Sequence, residues 1–145
     1  MNRPALSVEI RAFATGDIAS ALQLWSGIEG LAIGESDTEE SIGRFLEHNP
    51  GFSAIAATTA GDVVGAVLCG HNGRAGFLYH LAVASSHRRH GVGTRLAAFC
   101  LARLREVRIR RCNIFVYTDN DSGNRFWLRN GWNDPPDWKV LQRPV

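Results

Sequence analysis

Residues 84–94 bring together the groups that bind phosphate in proteins. The segment follows a predicted β-strand, and a helix is predicted to begin inside it. Unpaired backbone N–H groups at a helix N-terminus attract anions, and glycines let the main chain approach a phosphate without an intervening Cβ. The glycines and the side-chain donors are Arg88, Arg89, Gly91, Gly93 and Thr94. The segment therefore predicts a site for a phosphate-bearing ligand.

Two better-known phosphate-binding loops do not fit this segment. The dinucleotide fingerprint requires a third glycine where Leu96 stands, and the P-loop requires a Gly-Lys-Ser/Thr run that this sequence lacks. The pattern present is Arg-x-x-Gly-x-Gly, formed by Arg88, Gly91 and Gly93.

The surrounding sequence alternates between strand and helix patterns. Strands are predicted at Val8–Phe13, Phe52–Thr58, Asp62–Cys69, Phe77–Val83, Arg111–Tyr117 and Trp138–Leu141. Helices are predicted from Thr15 or Asp17 to about Ile28, from a Ser36–Glu39 capping box to Asn49, over Val92–Val107, and from Asp121 or Ser122 to Asn130. This order predicts an α/β (α+β) fold, in which about four helices cover both faces of a mixed sheet of about six to seven strands.

The whole chain limits the class of protein. Its 145 residues suit a single domain spanning 1–145, and no apolar run approaches the roughly 20 residues that cross a bilayer. The N-terminal residues lack the apolar core of a signal peptide, and the three cysteines are an odd number without metal-ligand spacing. We therefore expect a cytoplasmic protein that contacts no membrane, binds no metal and keeps its cysteines as buried free thiols.

Charge is unevenly distributed, although the net charge is only +2. Acidic residues concentrate between Glu29 and Glu47, and arginines concentrate at the end of the third predicted helix. Cations suit a helix C-terminus, and no aromatic residues interleave with these arginines, so no nucleic-acid partner is expected. The less favoured alternative is a nucleic-acid surface formed by Arg103, Arg105, Arg108, Arg110 and Arg111.

The glycine motif resembles the pyrophosphate-binding signature of the GNAT superfamily of N-acetyltransferases, Gln/Arg-x-x-Gly-x-Gly/Ala. The segment Gly61–Gly65 resembles the hairpin of that family, and Leu81–Val83 resembles the strand that pairs with pantetheine. A second motif agrees: Asn120 precedes Phe126–Trp132 at the distance typical of the family.

This resemblance implies a fold splayed between its fourth and fifth strands, with acetyl-CoA as co-substrate in the gap. It also implies a main-chain oxyanion donor near Leu81 or Ala82 and direct transfer of the acetyl group to an amine. The cofactor-binding residues carried over are Leu81, Ala82, Val83, Arg88, Arg89, His90, Gly91, Val92, Gly93, Thr94, Asn120, Gly123, Phe126 and Trp127.

The catalytic groups are less clearly marked. Strand alternation places Tyr79 on the face that carries a base or water-holding residue in family members, and His80 on the opposite face. We therefore prefer Tyr79, acting through water, as the base.

Trp127 stands where most members have the tyrosine that protonates the departing thiolate. Indole can donate only a hydrogen bond, so Tyr117 or water is a substitute acid. The preferred interpretation of Trp127 is a wall that packs beside the acyl arm.

The acidic segment covers the region that forms part of the acceptor mouth in this family. We expect Glu35 or Asp37 to meet a cationic amine, with Tyr79 beside it. The acceptor class stays open among small molecules, peptides and proteins. The alternative function is a GNAT-like module that binds acyl-CoA without turnover.

Oligomeric state also stays open, because Trp132 and Trp138 suit either a homodimer interface or a core.

Overall fold

The computed structural model of the protein describes residues 7–145 and divides into two compact units. The first unit ends at Phe115, and the second is Val116–Val145. The strands of the first unit are β1 Val8–Ala12, β2 Ala54–Thr58, β3 Val63–His71, β4 Gly76–Val83 and β5 Cys112–Ile114. Its helices are α1 Ile18–Ser26, α2 Glu39–His48 and α3 Val92–Glu106, and the second unit contains α4 Asp121–Arg129.

The five strands form one mixed sheet in the order β1-β2-β3-β4-β5. The first four are antiparallel neighbours, and β5 runs parallel to β4. Helix α3 is the crossover between β4 and β5, as a parallel pair requires. The predicted meander followed by a strand–helix–strand crossover is confirmed.

Helices cover both faces of the sheet. Helices α1 and α2 enclose an apolar cluster on one face, which includes Trp25, Ile42, Ala66 and Leu68. On the other face, Cys69 in β3 and Cys100 in α3 are both buried, and the neighbouring Cys69 together with burial raises the pKa of the Cys100 thiol. Neighbouring residues of β3 therefore point to opposite helices, which explains why this strand is apolar almost throughout.

Strand β4 contains a bulge at His80. The register with β3 passes from Leu68↔Tyr79 to Ala66↔Ala82, so two residues of β4 lie opposite one residue of β3. His80 has a left-handed φ of 57°, which is unusual for a non-glycine residue. The bulge shifts the alternation of side chains by one position after Tyr79.

The ladder between β4 and β5 is short. It runs only from Gly76↔Cys112 to Leu78↔Ile114, whereas β4 continues to Val83. Tyr79–Val83 consequently have no strand on the β5 side within the described residues. The predicted splay between the fourth and fifth strands is confirmed.

The predicted last strand is wrong. Trp138–Leu141 form no strand, and the side chains of Trp138 and Leu141 are 59% and 83% exposed. The segment follows Pro135 and Pro136 and buries no face, so nothing selects an extended partner strand. With β5 also shorter than the predicted Arg111–Tyr117, the described residues form five strands instead of six to seven.

One helix start differs from prediction. Helix α2 is capped by Thr38, whose hydroxyl accepts from the Ser41 amide at 3.1 Å, and Ser36 has no part in the cap. Thr38 is a residue of a preferred capping type, so the error is one of position. Helix α4 begins at Asp121, as predicted, and the Asn120 side chain caps it. No helix of residues 7–145 combines the length and apolar character needed to cross a bilayer.

Asp17 occupies the predicted N-cap position of α1, but its side chain makes no cap bond and instead joins the start of α1 to β1. Its carboxylate accepts from both terminal nitrogens of Arg11 at 2.7 and 2.8 Å, and also from the Ala14 amide at 2.9 Å. These bonds hold the pKa of the Asp17 carboxyl below its usual value, chiefly through Arg11. A depressed pKa stabilises the fold above the ordinary carboxyl pKa, and that contribution disappears as pH falls through the folded value.

We predict that Asp17→Asn lowers the free energy of unfolding by about 1 kcal/mol at neutral pH, because a bidentate pair and an amide acceptor are weakened. The difference from wild type should shrink below about pH 4, the usual range for an aspartate. Urea denaturation at several pH values measures both effects, with the exposed Glu47→Gln as control. A difference that stays constant down to pH 2 would contradict the assignment.

Candidate functional site

The predicted phosphate-binding segment forms an open helix start. A short 3-10 turn, Ser85–His87, follows β4, and α3 begins at Val92. Gly91 precedes the helix in the left-handed conformation with φ 76°, and no side chain of the described residues caps it. The positive end of the helix dipole is therefore open to a ligand.

Side chains of this turn supply positive charge. Arg88 and Arg89 are exposed, and Nε of Arg88 donates to the Val83 carbonyl at 3.2 Å, which fixes the base of its guanidinium. Arg89 has a left-handed φ of 63°. Left-handed residues among right-handed ones turn successive amides toward a common point, which is a frequent anion-binding arrangement. His90 is half-buried beside them, and Thr94 lies exposed in the first turn of α3.

The main chain of β4 is open just before this turn. Tyr79–Val83 extend beyond the last pair with β5, and the bulge leaves His80 and Leu81 without a register partner on β3. Ala82 is buried in the cluster beneath α1 and α2. An extended polar ligand could thus pair with this edge of β4 as a strand does.

Tyr79 belongs to a stack of aromatic rings. Its ring lies 6.3 Å from Phe77 and 6.1 Å from Phe115 at small interplanar angles, and Phe45 of α2 meets it edge-on at 5.9 Å. Burial, with a smaller contribution from Cys112, raises the pKa of the Tyr79 phenol. The phenol is consequently protonated at neutral pH and can hold a water molecule, but it cannot accept a proton directly.

His80 lies on the face that alternation had assigned to Tyr79 alone. Its Nε2 is 2.7 Å from Oδ1 of Asp37, and its ring is 5.2 Å from that of Trp25 in α1. The prediction that His80 faces away from Tyr79 is wrong, because the bulge at His80 interrupts the two-residue alternation on which it rested.

The two predicted acceptor carboxylates differ in environment. Both oxygens of Asp37 are occupied, one by His80 and the other by the Gly34 amide at 2.7 Å. Glu35 is exposed. Of the two, Glu35 is the carboxylate whose geometry leaves it available to an ammonium group, whereas Asp37 orients a histidine.

The other predicted site residues lie in the unit Val116–Val145. The Asn120 side chain accepts from the Gly123 amide at 3.1 Å and so caps α4. A Cβ on Gly123 would lie 2.6 Å from Nδ2 of Asn120. The second sequence motif therefore begins with a cap that requires glycine at its third helical position.

Aromatic rings fill the interior side of α4. Trp127 is buried, and its ring lies 4.9 Å from both Phe126 and Trp132. Tyr117 is 59% exposed. Packing of this kind agrees with Trp127 as a structural wall.

The other cysteine and arginine side chains considered in the sequence analysis have surroundings that suit a structural role. Cys112 is half-buried, and burial raises the pKa of its thiol to about 12. Arg103 packs over the Phe99 ring at 4.9 Å and pairs with Glu106 at 3.4 Å. Among residues 7–145, no group of three His, Cys, Asp or Glu side chains could hold a metal ion.

Comparison with known proteins indicates the same class of protein as the geometry of the site does. Residues 19–132 match the acetyltransferase (GNAT) family model. An acetyltransferase of Sodalis glossinidius is 31% identical over 115 residues, which cover 79% of this chain and 80% of that protein. An uncharacterized N-acetyltransferase of Yersinia pestis has the same identity and coverage. The chain therefore belongs to the GNAT family of N-acetyltransferases.

Solved structures share the fold. The Ard1 protein of Thermoplasma volcanium superposes with a TM-score of 0.76 at 25% identity, over 87% of this chain and 82% of its own. The aminoglycoside acetyltransferase AAC(6')-Iy, solved with a CoA-acetylneamine bisubstrate analogue, superposes with a TM-score of 0.73 at 18% identity, over 95% of this chain and 99% of its own.

The contact between Asn120 and Gly123 predicts non-additive effects of mutation. Asn120→Ala should lower the free energy of unfolding by about 1 kcal/mol, since it removes the cap. Gly123→Ala should also destabilise wild type, because the new Cβ meets the Asn120 amide. In the Asn120→Ala background the same change should stabilise α4, because the obstructing side chain is gone and alanine favours helix.

Urea denaturation of the four proteins completes this double-mutant cycle. Equal effects of Gly123→Ala in both backgrounds would show that the Asn120 side chain is not what excludes a Cβ at this position.

Proposed function

We propose that this protein transfers the acetyl group of acetyl-CoA directly to a primary amine. One observation carries the proposal: the stretch of β4 that has no partner on the β5 side leads, through one short turn, to the uncapped N-terminus of α3. Acetyl-CoA combines a diphosphate with an extended arm that contains amide groups. The chemistry of this ligand fits both features.

The diphosphate would be held by main-chain amides of the turn before α3, with Arg88 and Arg89 as additional donors. Gly91 suits this role because glycine adopts the left-handed φ of this position without strain and places no Cβ between the main chain and a phosphate. The amide groups of the arm would pair with β4 near Leu81 and Ala82. When bound, acetyl-CoA supplies an activated thioester, and the protein supplies position and hydrogen bonds.

Direct transfer is favoured over a covalent acyl-enzyme. Cysteine is nucleophilic as a thiolate, and the raised pKa of Cys112 keeps its thiol protonated. Cys69 and Cys100 are buried. The amine itself is thus the nucleophile in this proposal.

The acceptor side is lined by the aromatic stack of Phe77, Tyr79 and Phe115, and the acidic segment with Glu35 supplies negative charge. A flat apolar wall next to carboxylates suits an ammonium carried on an aliphatic or sugar-like group. Aminoglycoside and peptide amines are both reasonable acceptors, since the structural neighbours include AAC(6')-Iy and a NatC complex bound to Gag peptide and CoA.

A second candidate function is a module that binds acyl-CoA without turnover. It is favoured by the presence of Trp127 at the position where most family members have a tyrosine. Indole cannot protonate a departing thiolate. The deficit is small, because a thiol pKa of roughly 8.5 makes departure as thiolate at neutral pH cost about 2 kcal/mol. Slow transfer is therefore expected in preference to none.

Binding and activity can be tested separately. Calorimetry with CoA should detect binding to wild type, and Arg88→Ala/Gly91→Ala should weaken it by roughly tenfold or more, because charge-assisted bonds are lost. Arg105→Ala, at the other end of α3, is the matched control and should bind as wild type does.

Transfer is measured as amine-dependent release of the CoA thiol, with product mass spectrometry. The acceptors are an aminoglycoside, a peptide with a free α-amino group and a peptide with a free lysine. Acetylation of at least one is expected. Binding of CoA with no acetylated amine would favour the non-catalytic module, and absence of CoA binding would contradict both candidates.

A further inference from the structure

We propose that His80, oriented by Asp37, is the general base that takes the proton from the acceptor amine. The inference rests on the proposed acetyl transfer and assigns a role that strand alternation had given to Tyr79. Three observations carry it: the hydrogen bond between His80 and Asp37, the left-handed backbone at His80, and the position of His80 on the part of β4 that has no partner on the β5 side.

The pair resembles in its chemistry the histidine–carboxylate unit of many hydrolytic enzymes. Nε2 of His80 lies 2.7 Å from Oδ1 of Asp37, whose other oxygen is held by the Gly34 amide. A carboxylate on one ring nitrogen keeps a proton there and leaves the lone pair on the other nitrogen. In the part of the chain that the structure describes, Nδ1 of His80 has no hydrogen-bond partner.

Two energetically unfavourable features meet at this histidine. Its φ of 57° is left-handed, although it carries a Cβ. The neighbouring Trp25 ring is fully buried, and its Nε1–H has no partner among the described residues. Strained backbone and unsatisfied buried donors are retained where the surrounding structure holds a functional group in place.

The location suits contact with both substrates. His80 lies between Tyr79 and Leu81, in the stretch of β4 without a partner on the β5 side. Its side chain is 22% exposed and therefore reachable. Asp37 comes from the acidic segment between α1 and α2, so the pair joins the acceptor side to the strand that would hold the acyl arm.

Among the titratable groups near His80, its imidazole is the best proton acceptor. Buried apolar side chains of α1, α2 and β3 pack on this face, and the phenol of Tyr79 lies against them. The raised pKa of Tyr79 leaves that phenol protonated. Asp37 is the charged group in contact, and its oxygens are engaged.

The step balances as follows. The nitrogen of the neutral amine forms a bond to the thioester carbonyl carbon, and Nδ1 of His80 takes the proton that this nitrogen must lose. The carbon–sulfur bond breaks, and its electron pair leaves on sulfur. The imidazolium then returns its proton through water to the thiolate, so the products are the N-acetylated amine, the CoA thiol and neutral His80.

His80→Gln separates catalysis from structure, because its amide nitrogen can still donate to Asp37 but cannot accept a proton at useful pH. We expect kcat/KM for the best amine of the panel to fall about a hundredfold or more. CoA affinity and melting temperature should stay near wild type. After correction for the fraction of neutral amine at each pH, the acidic limb of the pH–rate profile should disappear, whereas Tyr79→Phe should retain it. The exposed His48→Gln is the matched control and should behave as wild type.

Several outcomes would overturn the inference. If His80→Gln keeps the acidic limb, or if Tyr79→Phe loses it, His80 is not the base, and the proposed acetyl transfer still stands. If wild type acetylates no amine, the proposed function fails and this inference fails with it. Nitrogen-15 NMR of the histidine rings gives a readout independent of turnover: the His80 ring should carry its proton on Nε2. A proton on Nδ1 would exclude the proposed role.

Discussion

The site depends on how strand β4 ends its pairing. Backbone N–H and C=O groups in a folded chain need partners, and β4 has β3 along one edge but β5 along only three residues of the other. The rest of that edge can be satisfied by an extended ligand. Because α3 begins after the short turn that follows β4, the proposed binding edge for the acyl arm and the proposed anion-binding turn lie on consecutive segments of the chain.

The bulge at His80 adds a second constraint. It brings His80 onto the face of α1 and α2, where Tyr79 also lies, and the contact with Asp37 then fixes the loop between those helices. A regular strand would direct the imidazole toward α3. The proposed chemistry of the acceptor side thus depends on one residue in a left-handed conformation, which contacts the ring of Trp25 and the carboxylate of Asp37.

Much of the fold could be predicted because its signals are local. Apolar periodicity located α3, and the glycine motif located the turn that precedes it, since both signals lie within short stretches of sequence. The Trp138–Leu141 strand failed because an apolar pattern cannot show whether a partner strand exists. The cap of α2 moved to Thr38, because three neighbouring residues of suitable type compete for the position.

The bulge and the His80–Asp37 pair could not be predicted by the same reasoning. Positive φ is uncommon in any residue other than glycine, so the sequence does not mark the bulge, and the two paired residues are 43 positions apart. Alternation gave the correct face for Tyr79 but the wrong one for His80, because a single extra residue reverses every assignment after it.

The most direct test of this account is a crystal structure of the protein with acetyl-CoA. The account predicts the diphosphate within hydrogen-bond distance of the amides of Val92 and Gly93, and the acyl arm paired with β4 between Tyr79 and Val83. A complex in which the diphosphate lies away from the start of α3, or in which that edge of β4 stays unpaired, would contradict it.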